Sequence, residues 1–344
     1  MEAMRSTLVQ LGWKPFFRDQ LKPDESLGCQ PARVMSVHRG MVTVSGEGFE
    51  ESISSSVPMA DGPEGRPTVG DWLLIERQSL AIQRILGRTS LFKRPAPGDE
   101  RRVQLIAANV DTLFVVTSCD QDFNVARLER YLVLAHEVGV RPVVVLTKAD
   151  LVDNPATFVA AAKSLHPQLH VELVNGLNGR SVAALATFCR AGETVALVGS
   201  SGVGKSTLVN TLKGSDTIAT QAVRESDGKG LHTTTVREMH RLGGGLGGGG
   251  WLIDTPGMRE LQMSDVSSGV TEMFDDIVVT TLDCRFTNCG HTDEPGCAIQ
   301  AGILDRTLDP ARIARWRKLR DEDAASTATA SVQRSRRARP NRPR

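Results

Sequence analysis

The stretch Gly199-Ser200-Ser201-Gly202-Val203-Gly204-Lys205-Ser206-Thr207 carries the most specific chemistry in the chain. A glycine, four residues and then Gly-Lys-Ser is the spacing of a phosphate-binding loop, whose successive backbone N–H groups turn inward on one phosphate chain. Lys205 is placed to pair with β- and γ-phosphates, and the Ser206 hydroxyl to hold Mg²⁺. Such a loop needs a strand before it and a helix after it, because the helix start adds its positive dipole end. Glu193-Thr-Val-Ala-Leu-Val198 supplies a short apolar, β-branched run, and Leu208-Val-Asn-Thr-Leu212 supplies helical sequence.

A second constellation is Cys284, Cys289, His291 and Cys297, four ligand-type residues within fourteen positions. Three thiolates and one imidazole fill tetrahedral Zn²⁺ and leave no open position, so the site is structural. The other cysteines, Cys29, Cys119 and Cys189, are scattered, which argues for reduced thiols rather than a disulfide framework. A third constellation, Asp254-Thr-Pro-Gly257, ends the apolar run Trp251-Leu-Ile. There an aspartate can hold Mg²⁺ through water, and a glycine amide can sense a γ-phosphate.

The elements that must position these groups follow from patterning. At 344 residues the chain has room for two or three domains, and its net charge of +1 demands no acidic partner. No run of about eighteen apolar residues occurs, and the first residues lack the long apolar centre of a signal peptide, so a soluble cytoplasmic protein with no membrane partner is expected. Residues 1–30 are weakly patterned, an extension that drapes over a neighbour or stays loose. From residue 31 to about 95, Arg33–Val37, Met41–Val44, Asp71–Ile75 and Leu80–Ile85 alternate with Gly/Pro turns, predicting a small OB-like β-barrel. A basic, proline-containing linker, Arg88 to Arg102, comes next. Strands at Thr112–Val116, Pro142–Leu146 and Val171–Val174 then alternate with helices at Val125–Val138 and Pro155–Leu165, predicting a doubly wound α/β domain over residues 96–268. A strand at Val236–Leu242 and the tract of seven glycines in 243–250 precede Trp251, the glycines acting as a hairpin loop. Residues 269–325 form a zinc-binding domain with helices, including one at 309–320 with Asp309 as N-cap, Pro310 in its first turn and five Arg/Lys residues. With the tail at 326–344, whose last fourteen residues hold six arginines and no acid, this is the most basic region and a candidate for a phosphate backbone.

The order of the motifs is the telling feature. Thr147-Lys148-Ala149-Asp150 ends the second strand of the α/β region and resembles the Asn-Lys-x-Asp base motif of GTPases, in which the aspartate accepts from guanine N1–H and the amino group. Ordinary GTPases place it after the phosphate loop; here it precedes the loop by roughly fifty residues. This resembles the circularly permuted GTPases. The barrel in front, Gly230-Leu-His-Thr-Thr-Thr235 in the middle and the zinc cluster behind make the chain similar to the ribosome-small-subunit-dependent GTPase A (RsgA, YjeQ) family.

That resemblance implies a GTP hydrolase that binds GTP/GDP, the 30S subunit and its 16S rRNA, acts in late subunit assembly as a monomer, and is stimulated by the subunit. It implies base and phosphate contacts from Thr147–Asp150 and Gly199–Thr207, Mg²⁺ held by Ser206, Thr234 and Asp254, and one structural Zn²⁺. The glutamine that positions water in the best-known GTPases is replaced by Met258, so His232 becomes the catalytic candidate beside Lys205. Two departures stand out. Thr147 occupies the usual Asn position, removing an amide that would contact the base and brace the phosphate loop. The base-closing loop, Val174-Asn-Gly-Leu-Asn-Gly179, matches the family poorly and receives no base contacts. The alternative is a zinc-containing RNA-binding factor with a vestigial or purely switching nucleotide site.

Overall fold

A computed structural model describes residues 6–58, 62–96, 99–214, 237–243, 248–254 and 266–337. Contacts gather the chain into two compact units, Met1–Asn124 with Gly139–Gln262, and Val125–Val138 with Met263–Arg344.

The first unit opens with two short helices, α1 (Pro15–Arg18) and α2 (Glu25–Gly28), and five strands, β1 (Cys29–His38), β2 (Met41–Gly46), β3 (Phe49–Ser54), β4 (Trp72–Glu76) and β5 (Ile82–Ile85). Their antiparallel order β3-β2-β1-β4-β5, with β1 bulged between Val34 and Ser36, is that of a partly open five-stranded barrel. Ala32, Val34, Val42, Val44, Leu73 and Ile75 form its core. Strand β3 falls within a stretch that reads as loop; Ile53 is buried and Phe49 packs partly buried against the same core, while Glu50, Glu51, Ser52 and Ser54 are exposed. The expected linker is in fact a hairpin of β6 (Leu91–Ala96) and β7 (Asp99–Ala108), tolerating Pro95 because the pairing shifts register beside it.

The nucleotide layer is built from β8 (Thr112–Ser118), β9 (Arg141–Thr147), β10 (His170–Leu173), β11 (Thr194–Val198) and β13 (Trp251–Asp254), with β12 (Arg237–Arg241) antiparallel to β13. The sheet runs β10-β9-β8-β11-β13-β12-β1-β2-β3, so the barrel continues it through β12 pairing with β1 at Ser36 and Val37. Every residue of β8 and β11 is buried, as strands covered on both faces require. In chain order, α3 (Val125–Glu137) follows β8, α4 (Ala156–Lys163) follows β9, α5 (Gly179–Val182) follows β10 and α6 (Lys205–Lys213) follows β11. Leu208, Val209 and Leu212 of α6 join Phe114, Val116, Val143 and Val195 in one core.

The amino-terminal residues are packed rather than loose. Trp13 and Phe17 lie 4.8 and 5.8 Å from the Trp72 ring, and Lys14 Nζ is 2.5 Å from Asp111. Beneath them Arg33 of β1 is fully buried, donating to Leu11 O and, at 2.7 Å, to Thr194 Oγ1 at the start of β11.

The second unit holds α3 together with α7 (Ser267–Met273), α8 (Asp275–Thr281), α9 (Ala298–Leu304) and α10 (Pro310–Arg337). Helix α3 packs along α7 so closely that a Cβ on Gly269 would stand 2.2 Å from Val133 O. Glu129 of α3 is buried and accepts from Arg315 Nε of α10 at 2.6 Å. Asp309 caps α10 through Ala311 N–H at 2.9 Å, and the helix runs on to Arg337, into the stretch expected as an unfolded tail.

Candidate nucleotide site and metal centre

Parallel pairing brings the carboxyl ends of β8, β9, β10, β11 and β13 to one edge of the sheet: Ser118 pairs with Thr147, Leu173 with Leu146, Val198 with Val115 and Ala196 with Ile253. Strands β8 to β10 run to one side of β11 and β13 lies on the other, so the chain reverses its winding where β8 meets β11. Ligands of doubly wound sheets bind at such a reversal, and both the phosphate loop and the base motif sit there.

The phosphate loop leaves β11 at Gly199, where φ is +142° and a Cβ would come within 2.1 Å of Val116 O; no other residue fits. Val203 is buried and α6 begins at Lys205, so the loop amides lie at a helix N-terminus. Lys205 Nζ donates to Gly199 O at 2.7 Å and to Ser200 O, folding back across the loop it serves. Ser206 and Thr207, in the first turn of α6, are partly exposed.

Thr147 ends β9, is buried, and donates its hydroxyl to Val203 O at 2.5 Å. With threonine in place of the usual asparagine, the amide brace on the phosphate loop is lost. The shorter hydroxyl supplies that brace, because β9 and the loop approach closely enough for it to reach. Lys148 then adopts the left-handed conformation, φ 57°, and turns the chain so that Ala149 and Asp150 stand beyond the strand end, Asp150 exposed. Lys148 Nζ donates to Asp120 Oδ2 at 2.9 Å.

The loop given no base contacts arrives at the same edge. Asn175 N–H donates to Ser181 Oγ at 2.9 Å, Leu177 N–H to Asn175 Oδ1 at 2.9 Å, and Thr211 Oγ1 of α6 lies 2.6 Å from Gly176 O. Asn175, Asn178 and Ser181 are turn-forming residues at turn spacing, the signal that could have marked this loop as ordered. Asp254 ends β13; its side chain, the rest of Asp254-Thr-Pro-Gly257, and His232, Thr233 and Thr234 lie outside the described residues.

In the second unit the ligand atoms of Cys284, Cys289, His291 and Cys297 all lie within 4.8 Å of one another, with His291 Nδ1 3.5 Å from Cys284 Sγ and 3.8 Å from Cys297 Sγ. Around tetrahedral zinc, with bonds of about 2.0–2.3 Å, neighbouring ligand atoms are separated by roughly 3.5–3.8 Å, so the four residues fit that ion. The loop is held from outside the cluster. Glu294 accepts from Gly290 N–H at 2.6 Å and Thr292 N–H at 2.8 Å, and its own backbone N–H together with these two holds its carboxyl down at about 2. His291, at φ 61°, has its carbonyl bonded by Gln300 Nε2 at 2.9 Å and by Arg317 of α10.

The chain is similar to known proteins. Residues 85–264 match the family model described as RsgA GTPase. The chain is 47% identical over 333 residues to the small ribosomal subunit biogenesis GTPase RsgA of Mesorhizobium japonicum, covering 96% of this chain and 93% of that one. It is 46% identical to RsgA 2 of Vibrio parahaemolyticus, covering 95% and 89%. Among solved structures it resembles YjeQ from Thermotoga maritima, with TM-score 0.60, 23% identity, and 85% and 97% coverage. It also resembles YloQ, described as a circularly permuted GTPase, with TM-score 0.58, 19% identity, and 94% and 100% coverage.

Proposed function

The chain belongs to the RsgA GTPase family, and we propose that it is a GTP hydrolase of small ribosomal subunit biogenesis, binding GTP and GDP at the sheet edge described above. The observation that carries the reading is the meeting of the phosphate loop with the base motif that precedes it in the chain, joined by the bond from Thr147 to Val203 O.

In this reading the amides of Gly199–Thr207 and the Lys205 ammonium gather the phosphates, and Asp150 accepts from the Watson–Crick edge of guanine. Ser206, Thr234 and Asp254 would hold Mg²⁺, which neutralises charge on the β- and γ-phosphates. His232 orients the attacking water, since Met258 can neither donate nor accept there. Cys284, Cys289, His291 and Cys297 would hold one Zn²⁺ as a structural ion.

The division into extension, barrel, permuted GTPase domain, zinc domain and basic tail belongs to the same reading. So do binding of the 30S subunit through its 16S rRNA, action late in assembly, a monomeric state and a cytoplasmic location. No helix among the described residues is long and apolar enough to cross a membrane, which fits that location. The rival, a zinc-containing RNA-binding factor with a vestigial or purely switching nucleotide site, rests on Thr147 and on the degenerate base loop, and the hydroxyl brace weighs against the first of these.

GTP turnover measured with and without added 30S subunits tests the proposal. Turnover raised by the subunits and suppressed by GDP but not by ADP is expected; no turnover under either condition would overturn it.

A further inference from the structure

Asp120 follows β8 in the loop that leads to α3, and no motif drew attention to it. Both oxygens of its carboxylate are nonetheless engaged. Oδ2 accepts from Lys148 Nζ at 2.9 Å, while Oδ1 accepts from Ser118 Oγ at 2.7 Å and from Asp122 N–H at 2.9 Å. One strand pair sets this geometry: Ser118 is in register with Thr147, and Cys119 N–H donates to Thr147 O at 2.9 Å, so Asp120 emerges alongside Lys148. Desolvation pushes the carboxyl up, but the bonds from Ser118, Lys148 and Asp122 outweigh it and hold the group below its ordinary range, ionised at neutral pH.

The partner of this carboxylate sits between two parts of the nucleotide site. Lys148 lies between Thr147, which braces the phosphate loop, and the turn carrying Asp150. Its ammonium is paired at the tip, which narrows the set of rotamers open to its four methylenes. An apolar stem fixed in this way is a surface on which a purine face can lie, and fixing it before binding removes ordering entropy from the cost of binding.

We propose that Asp120 is a positioning residue for base recognition: by holding the Lys148 ammonium it presents the lysine stem as a platform for the purine ring, while Asp150 reads the ring's edge. The proposal rests on the GTPase reading above and concerns the same site.

The two roles separate by ligand. A platform acts on any purine, so its loss weakens GDP and inosine diphosphate by the same factor. An edge contact distinguishes them, because inosine lacks the amino group. Asp120→Asn is the informative change. It retains Oδ1 as acceptor for Ser118 and Asp122 and removes the charge that holds Lys148. Asp120→Ala removes both.

Titration calorimetry of the full chain with GDP and with inosine diphosphate should show Asp120→Asn binding each about two- to five-fold more weakly, the scale of a half-exposed ion pair. The ratio of the two affinities should stay parental, as should turnover at saturating GTP on 30S subunits and the melting temperature. Parental or tighter GDP binding by Asp120→Asn overturns the proposal, as does a changed GDP-to-inosine ratio. Loss confined to Asp120→Ala also overturns it, by assigning the effect to the turn. If the unsubstituted protein binds no GDP, the GTPase reading itself fails; if it binds GDP and Asp120→Asn is indistinguishable from it, only the platform fails.

Discussion

Chemistry encoded by spacing within one segment was legible residue by residue. Gly199, Lys205 and the four zinc-type ligands were identifiable because their partners lie within a few positions. Contacts made only when distant strands align were not. Thr147 looked like a lost amide, and only the approach of β9 to the phosphate loop reveals its hydroxyl on Val203 O at 2.5 Å. Thr147→Val keeps the shape and removes the donor, leaving a loop carbonyl unpaired at a cost of about 1–3 kcal/mol. Calorimetry should find GDP bound on the order of tenfold more weakly, with Thr147→Asn recovering most of the loss. His232 belongs to this scale too. If its imidazole positions water, His232→Ala should lower subunit-stimulated turnover by about 10²-fold or more while GDP affinity stays parental. A parental rate on the subunit would return His232 to an ordinary surface residue.

Elements with a strong period were readable, and those of mixed character were not. Strands β8, β9 and β11 are unbroken apolar runs, whereas β3 and the β6–β7 hairpin carry charges and a proline that read as loop. Helix α10 reads as a basic helix suited to meet phosphates, yet four of its arginines are engaged within the unit. Arg312 bonds Asp276, Arg315 bonds Glu129, Arg317 bonds the His291 carbonyl, and Arg320 lies over the Trp316 ring. Spacing along one helix cannot reveal such partners, because they come from other elements. Short elements also depend on single pairs. Arg84 of β5 hydrogen-bonds Glu25 of α2 through Nε at 2.8 Å and holds its carboxyl at about 2 against the ordinary 4.5, overcoming the opposing desolvation. Because the folded value is depressed, this stabilisation is present above about pH 4.5 and is lost as the pH falls toward 2. Arg84→Gln should therefore flatten the acid limb of a stability-against-pH curve in that window and leave its slope at neutral pH alone. An unchanged acid limb would show that the pair contributes nothing.

At the scale of the whole molecule, motif order was the decisive clue, since permutation changes which strand ends meet no partner in sequence but not which strand ends meet in space. What order could not foretell is the joining of barrel and nucleotide layer in a single sheet through β1 and β12. Nor could it foretell the allegiance of α3. The nucleotide site lies in the first unit and the metal cluster in the second, so their stabilities separate. If the cluster holds zinc, as proposed, a chelator should lower the melting temperature of the second unit and expose its tryptophan, Trp316, to quenchers, while GDP affinity measured in the same samples changes by less than about twofold. A parallel loss of GDP binding would mean that the metal supports the nucleotide site as well.

Helix α3 interrupts the first unit in sequence, which breaks off after Asn124 and resumes at Gly139, yet the helix belongs with the second. No single cut in the gene can therefore part the two. A fragment ending at Gln262 keeps α3 but forfeits α7 and the Arg315 partner of Glu129, so it should bind hydrophobic dyes and fall to proteases within α3 before any other helix. A fragment starting at Met263 lacks the surface on which α7 folds. Recombination cannot pass the unit that carries the cysteine–histidine cluster to another protein without taking a piece from the middle of the chain with it.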